Sequence, residues 1–166
     1  MLNMTYANRT DVQCRVSEHM ALDETDSKIL KALASDARLS SRQISGQSGV
    51  SIGTVLSRIK RMEEEGIIKG YTALLDHERL GYELTVVSEI TVSKGRLLEV
   101  ESEIARLPNV CCVYDVTGLI DAVIIAKFKN REELSKFTKR LLAIPYVERT
   151  NSHVVLTTIK EDFRLI

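Results

Sequence analysis

The chain has 166 residues, 44% of them hydrophobic and 28% charged, which is enough to bury one core or two small ones and too apolar for a disordered chain. Twenty-three basic residues balance twenty-three acidic ones, so the protein is no polycation, and any grip on a nucleic acid has to come from local charge. Three cysteines, Cys14 alone and Cys111 beside Cys112, give neither a disulfide framework nor metal-ligand spacing.

No apolar run reaches the length of a membrane span, and the first twenty residues lack the continuous apolar core of a signal peptide. A soluble protein of the reducing cytoplasm is expected. Residues 1–20 show neither helical nor strand periodicity and end in His19-Met20, directly before a strongly patterned segment. They read as a disordered or non-native extension, with Met20 a candidate start, and are set aside for the fold.

Asp23 is placed to cap a first helix, with Asp26 three residues on as its capping-box partner and Ile29, Leu30 and Leu33 as the apolar stripe. Ser40 with Gln43 starts a short second helix that runs through Ile44 and stops at Gly49. Ser51 starts a third, with Ile52, Val55, Leu56, Ile59 and Met62 on one face and an end before Gly66. Helix, short helix, glycine turn, helix is a helix-turn-helix pattern spanning 21–70.

At about 100° per residue, Thr54, Ser57 and Arg61 fall opposite that apolar face, with Arg58 and Lys60 on its flanks. Between Ser51 and Met62 there are basic residues and no acidic one, whereas Glu63, Glu64 and Glu65 follow at once. The acidic end repels phosphate, so the earlier part of the helix is the part suited to a DNA groove. On this reading Thr54, Ser57 and Arg61 meet base edges or sugars, with Ser51 beside them at the helix start, and Arg58, Lys60 and Arg42 meet phosphates. Arg38 is either a phosphate contact or a partner for Asp36 or Asp26. The bland alternative for the whole set is a solvated helix face.

Residues 67–75 read as a strand leaving this domain, and Asp76 to Gly81 as a turn, so 71–83 forms a hinge. The remainder, 84–166, alternates: a strand from Leu84 to Val92, a helix from about Arg96 to Leu107, strands from Val110 to Thr117 and Asp121 to Phe128 around a tight Gly118-Leu119-Ile120 corner, a helix from about Glu132 to Leu142, and a last strand from Ser152 to Ile159. The order βαββαβ predicts a ferredoxin-like antiparallel sheet with both helices on one face, hence an α+β protein of two domains. Cys111 and Cys112 are expected as small buried hydrophobes, with a redox pair as the alternative. His77 and His153 are too far apart to suggest a local metal clip.

The chain resembles the Lrp/AsnC (feast/famine) family of transcription regulators. The resemblance rests on Leu22-Asp23-x-x-Asp26-x-x-Ile29-Leu30, Asp36-Ala37-Arg38, Ser51-x-x-Thr54-Val55-x-x-Arg58-Ile59 and Met62-Glu63-x-x-Gly66-Ile67-Ile68-x-Gly70-Tyr71. It continues through Leu75-Asp76, Leu80-Gly81-Tyr82, Tyr114-Asp115-Val116-Thr117-Gly118-x-x-Asp121 and Val154-Val155-Leu156. It implies a winged helix-turn-helix domain that binds double-stranded DNA, joined to a RAM-type domain that binds a small effector, commonly an amino acid, and assembles homodimers and octamers. It also implies an effector site near the corner formed by Thr117, Gly118, Leu119, Ile120 and Asp121. Thr150 and Ser152 either reach that cleft or face solvent. The family usually places an acidic and an aromatic residue where Leu119 and Ile120 stand, so the effector preference here is expected to differ.

Two other readings compete. Siroheme decarboxylases look like the same architecture and use His and Arg near the second strand of this domain, but Val110 to Val116 holds neither. A sensing module that no longer binds DNA is opposed by the basic face of the third helix. No cofactor and no metal is expected, and no catalytic grouping is found.

Overall fold

The computed structural model describes residues 21–93 and 95–166, so the expectation for residues 1–20, Cys14 included, lies outside the described residues. The chain divides into two compact units, the first running to Thr72 and including Arg164–Ile166, and the second spanning Ala73–Phe163.

The first unit is α1 (Glu24–Ser35), α2 (Ser41–Ser48) and α3 (Ile52–Glu64). Each begins on a side-chain cap. Asp23 and Asp26 exchange both hydrogen bonds of a capping box, and Ser40 and Gln43 do the same for α2. Gly49 ends α2 at φ +76°, a left-handed turn that carries the chain into α3 with no Cβ penalty. The Ser45 hydroxyl donates to the carbonyl of Val50 at 2.6 Å and pins that turn. Ile29, Ala32, Ile44, Val55 and Met62 make the core, with Leu30, Leu33, Leu39, Val50, Ile59 and Ile68 packed around it.

The expected strand over 67–75 is absent. After Gly66 the Ile68 amide donates back to the Met62 carbonyl at 3.0 Å, and the rest of the segment takes part in no strand ladder. A strand needs a neighbouring strand to satisfy its backbone, and the described residues of the first unit contain none.

The second unit is β1 (Leu84–Val92), α4 (Leu97–Ile104), β2 (Val110–Asp115), β3 (Ala122–Phe128), α5 (Arg131–Ala143) and β4 (Val147–Val154). The sheet runs β2-β3-β1-β4 with every pair antiparallel, the ferredoxin-like order. Alternate residues Val86, Ile90 and Val92 of β1, with Ile124, Ala126 and Phe128 of β3, face Val100 and Ile104 of α4 and Phe137 and Leu141 of α5. Phe128 and Phe137 stack with ring centroids 4.9 Å apart.

Three features of this unit differ from the expectation. β4 runs five residues earlier than expected at both ends, over Val147–Val154 instead of Ser152 to Ile159, because the polar run Arg149–Asn151 pairs with β1 despite its low strand propensity, with Glu148 left unpaired at a bulge. The β2–β3 corner is a longer connection over 116–121. Cys111 is exposed and not buried, because the β2 register shifts between Val110 and Cys112 and leaves it unpaired in a bulge.

Candidate nucleic-acid interface and effector cleft

In α3, Val55 and Met62 are fully buried and Ile59 partly so, while Ile52 and Leu56 remain 44% and 54% exposed. The buried direction is therefore rolled by about 45° from the one the five apolar residues define at 100° per residue. The cause is a buried carboxylate on α1. Asp26 has no solvent exposure, and its oxygens accept from Arg61 Nη2 at 2.6 Å, from Arg58 Nη1 at 3.2 Å and from the Asp23 amide at 3.1 Å. Arg58 also donates to Asp23 at 2.6 Å. A buried carboxylate must be paired, and the two guanidiniums of α3 are what pairs it.

The roll shifts two placements read from the helical wheel: Arg61, expected opposite the apolar stripe, turns toward α1, and Arg58, expected on its flank, joins the same cluster. Both side chains are about a third exposed and are held in ion pairs that tie α3 to α1. The face turned to solvent is Gly53, Leu56, Ser57 and Lys60. Thr54 is half-buried, with its hydroxyl 2.9 Å from that of Ser51, which caps the helix by accepting the Thr54 amide. Lys60 is mostly exposed and stands 3.7 Å from Glu64. Arg42 is exposed on α2. Arg38 pairs with Asp36 at 3.4 Å while remaining 92% exposed, so a weak partner leaves it available to water or to an anion. Lys60, Arg42 and Arg38 present their charge to solvent, whereas Arg58 and Arg61 are held in ion pairs with α1 and its cap.

Proton equilibria follow the same contacts. The Asp26 amide, and then the Arg58 guanidinium, hold the Asp23 carboxyl below the usual aspartate range despite some desolvation. Beyond the helix, the Tyr71 hydroxyl donates to Glu63 at 2.8 Å, and burial with that carboxylate pushes the phenol up to about 12.

In the second unit an open cleft of about 370 Å³ lies on the sheet face away from the helices. It is lined by Glu89 and Thr91 of β1, Arg149 and Asn151 of β4, and Leu119 and Ile120 of the β2–β3 connection. The expected corner residues part company here. Leu119 and Ile120 reach the cleft. Gly118 bends the chain beside it at φ +128°, and Thr117 is exposed in the same connection. The Asp121 carboxylate accepts the Val92 amide at 2.7 Å, so it satisfies a backbone donor at the end of β1. Thr150 and Ser152 pair with Ile90 and Ser88, which places them on the helix-bearing face, and the Ser152 hydroxyl lies 2.8 Å from that of Ser88. Their neighbours Arg149 and Asn151 take the cleft instead, since adjacent residues of a strand face opposite ways.

Sequence reasoning missed Glu89, Thr91, Arg149 and Asn151. The available signal was alternation, but only beyond a bulge: Val147 pairs with Val92 on the core side, and after the register shift Arg149 and Asn151 fall opposite Thr91 and Glu89. Glu89 accepts from Asn151 at 3.1 Å, and Arg149 is exposed beside them, so the cleft carries both signs of charge on one rim and aliphatic surface on the other. No group of His, Cys, Asp and Glu among the described residues is arranged to hold a metal ion. No helix of the described residues is long and apolar enough to cross a membrane.

Comparison with known proteins agrees with this division. Residues 22–69 match a family described as winged helix-turn-helix DNA-binding, and residues 85–165 match the Lrp/AsnC ligand binding domain. An HTH-type transcriptional regulator of Pyrococcus abyssi is 49% identical over 144 residues, covering 87% of this chain and 98% of that relative. The HTH-type transcriptional regulator FL11 of Pyrococcus horikoshii is 40% identical over 87% of this chain and 95% of its own. Among solved structures, the transcriptional regulator NMB0573 of Neisseria meningitidis, in complex with L-Met, superposes with a TM-score of 0.80 at 29% identity, over 88% of this chain and 97% of that one.

Proposed function

Because the chain belongs to the Lrp/AsnC family of HTH-type transcriptional regulators, we propose a division of labour in which the first unit reads an operator and the second senses an amino acid and assembles the protein. The chain is a DNA-binding transcription regulator with an effector-sensing domain. The observation that carries the finer reading is the sorting of the basic residues of the first unit: Arg58 and Arg61 are bound to Asp26, and Lys60, Arg42 and Arg38 are left to meet phosphates.

On this reading α3 enters the major groove with Ser57 and Thr54 toward base edges and Ser51 at its start. Arg58 and Arg61 act as positioning residues that fix the angle of α3 on α1. A homodimer, or an octamer built from dimers, engages half-sites of a pseudo-palindrome spaced by whole turns of about 10 to 10.5 base pairs. A chain of balanced charge needs several subunits acting together to bind tightly, and salt weakens that binding steeply.

The effector reading rests on the cleft. Arg149 suits an α-carboxylate, Glu89 an α-ammonium, and Leu119 with Ile120 an aliphatic or thioether side chain. The L-Met complex of the similar Neisseria protein supports an apolar amino acid as the class. Binding there acts on DNA affinity only to the extent that it favours one assembly or head arrangement over another. The protein is read as non-catalytic and cytoplasmic: β2 offers neither His nor Arg to a tetrapyrrole, and colourless purified protein is the corresponding check.

The test is a gel-shift titration on the DNA upstream of the protein's own gene and on duplexes selected from a random library, with and without each amino acid. Laddered, salt-sensitive shifts altered by an apolar amino acid support the reading. Binding to no duplex overturns it.

A further inference from the structure

Resting on the reading that α3 enters a major groove, the outward face of that helix points to a specific chemistry that its charges do not. Leu56 and Ile52 are 54% and 44% exposed although both are large and apolar, and they flank Gly53 on the first turn and a half of the helix. Gly53 is itself unexplained by the chain. Glycine is a poorer helix former than alanine, and Gly53 is the second residue of α3. Yet a Cβ at this position meets only the Ser51 hydroxyl, at an ordinary 3.8 Å, so no internal contact requires its absence. The helix thus gives up stability and exposes hydrophobic surface on the same strip, at its N-terminal end, where recognition helices contact base edges.

We propose that Leu56, with Ile52 and the bare backbone of Gly53, reads the C5-methyl groups of thymine. That methyl is the apolar group displayed on the major-groove edges of the four base pairs, whereas the other positions offer hydrogen-bond donors and acceptors that an aliphatic side chain leaves unsatisfied. Gly53 lets the helix backbone approach closely enough for Leu56 to touch the methyl. Lys60 supplies phosphate attraction one turn further on, without competing for the base edge. Leu56 is then a specificity-determining residue, and the operator carries a thymine at a fixed place in each half-site.

The experiment uses the full chain and duplexes selected from a random library, in which each thymine is replaced in turn by deoxyuridine, removing one methyl and nothing else. The expected result is a threefold to fivefold loss of affinity, about the worth of one buried methyl, at one or more thymines of each half-site. The loss should disappear in Leu56→Ala and persist in Leu56→Met. Leu56 is exposed, so Leu56→Ala should keep the wild-type unfolding midpoint. Wild-type binding indifferent to every deoxyuridine, or equal methyl dependence in Leu56→Ala, overturns the proposal alone and leaves the strip to a protein contact. Failure to enrich any duplex overturns the DNA-reading assignment and this proposal with it.

Discussion

Asp26 Oδ2 lies 2.6 Å from Arg61 Nη2, and this buried carboxylate joins the first helix of the helix-turn-helix unit to the third. The same carboxylate accepts from Arg58 and completes the capping box of α1, so one side chain serves the helix start, the interhelical angle and the orientation of the DNA-facing surface.

Asp26→Asn should therefore act on stability and on DNA binding together. It removes the charge that two guanidiniums share, and since both keep some water contact the loss should be about 2 to 3 kcal/mol, below that of a sealed ion pair. Urea unfolding measures it. Arg61→Ala should also destabilise the first unit and weaken binding to all duplexes evenly. A change of preference at one base pair with unchanged stability would return Arg61 to the base-reading set.

Acid should loosen this region through Asp23. Its carboxyl is held below the ordinary value of 3.8 by the Asp26 amide and by Arg58, so the folded state binds fewer protons than the unfolded one. The contribution is complete above about pH 4 and fades as pH falls through the lowered folded value. Asn is an equally good cap without the titration. Melting profiles of the wild type and Asp23→Asn should run parallel near neutrality and converge below pH 4. Parallel profiles throughout would mean that Asp23 is not the titrating group.

At the sheet corner, Gly118 holds φ +128° with open space around its Cα. Gly118→Ala should cost about 1 to 2 kcal/mol from backbone strain alone, and Gly118→Ser a similar amount, because no neighbour distinguishes their sizes. Thermal melting of both variants tests this; equal stability to wild type would show that the connection relaxes freely.

Arg149→Ala tests the effector cleft. Losing a charge-assisted hydrogen bond to a carboxylate should weaken amino-acid binding at least tenfold in calorimetric titration, with oligomer size by light scattering unchanged. Unaltered affinity would move the effector elsewhere.

How far the sequence sufficed differs between its local and its long-range statements. Caps at Asp23, Ser40 and Ser51, the stop at Gly49, and the βαββαβ order were readable because capping, left-handed glycine turns and hydrophobic period act within a few residues. The roll of α3 was not readable. Ile52 and Leu56 count as core on a helical wheel, and only the three-dimensional placement of Asp26 draws Arg58 and Arg61 inward and turns those two aliphatic residues out.

The sheet repeats the lesson. Alternation is visible along any strand, but which parity faces the helices depends on register against β1. That register placed Arg149 and Asn151, not Thr150 and Ser152, on the cleft. By itself the sequence determined the three helices of the first unit, the βαββαβ order of the second and the two-domain class, because those follow from short-range propensity and periodicity, though not the absence of a strand over 67–75. The tertiary structure alone decided which charges are spent inside and which remain for DNA or an effector, because a buried carboxylate and a strand register are set by partners distant in the chain.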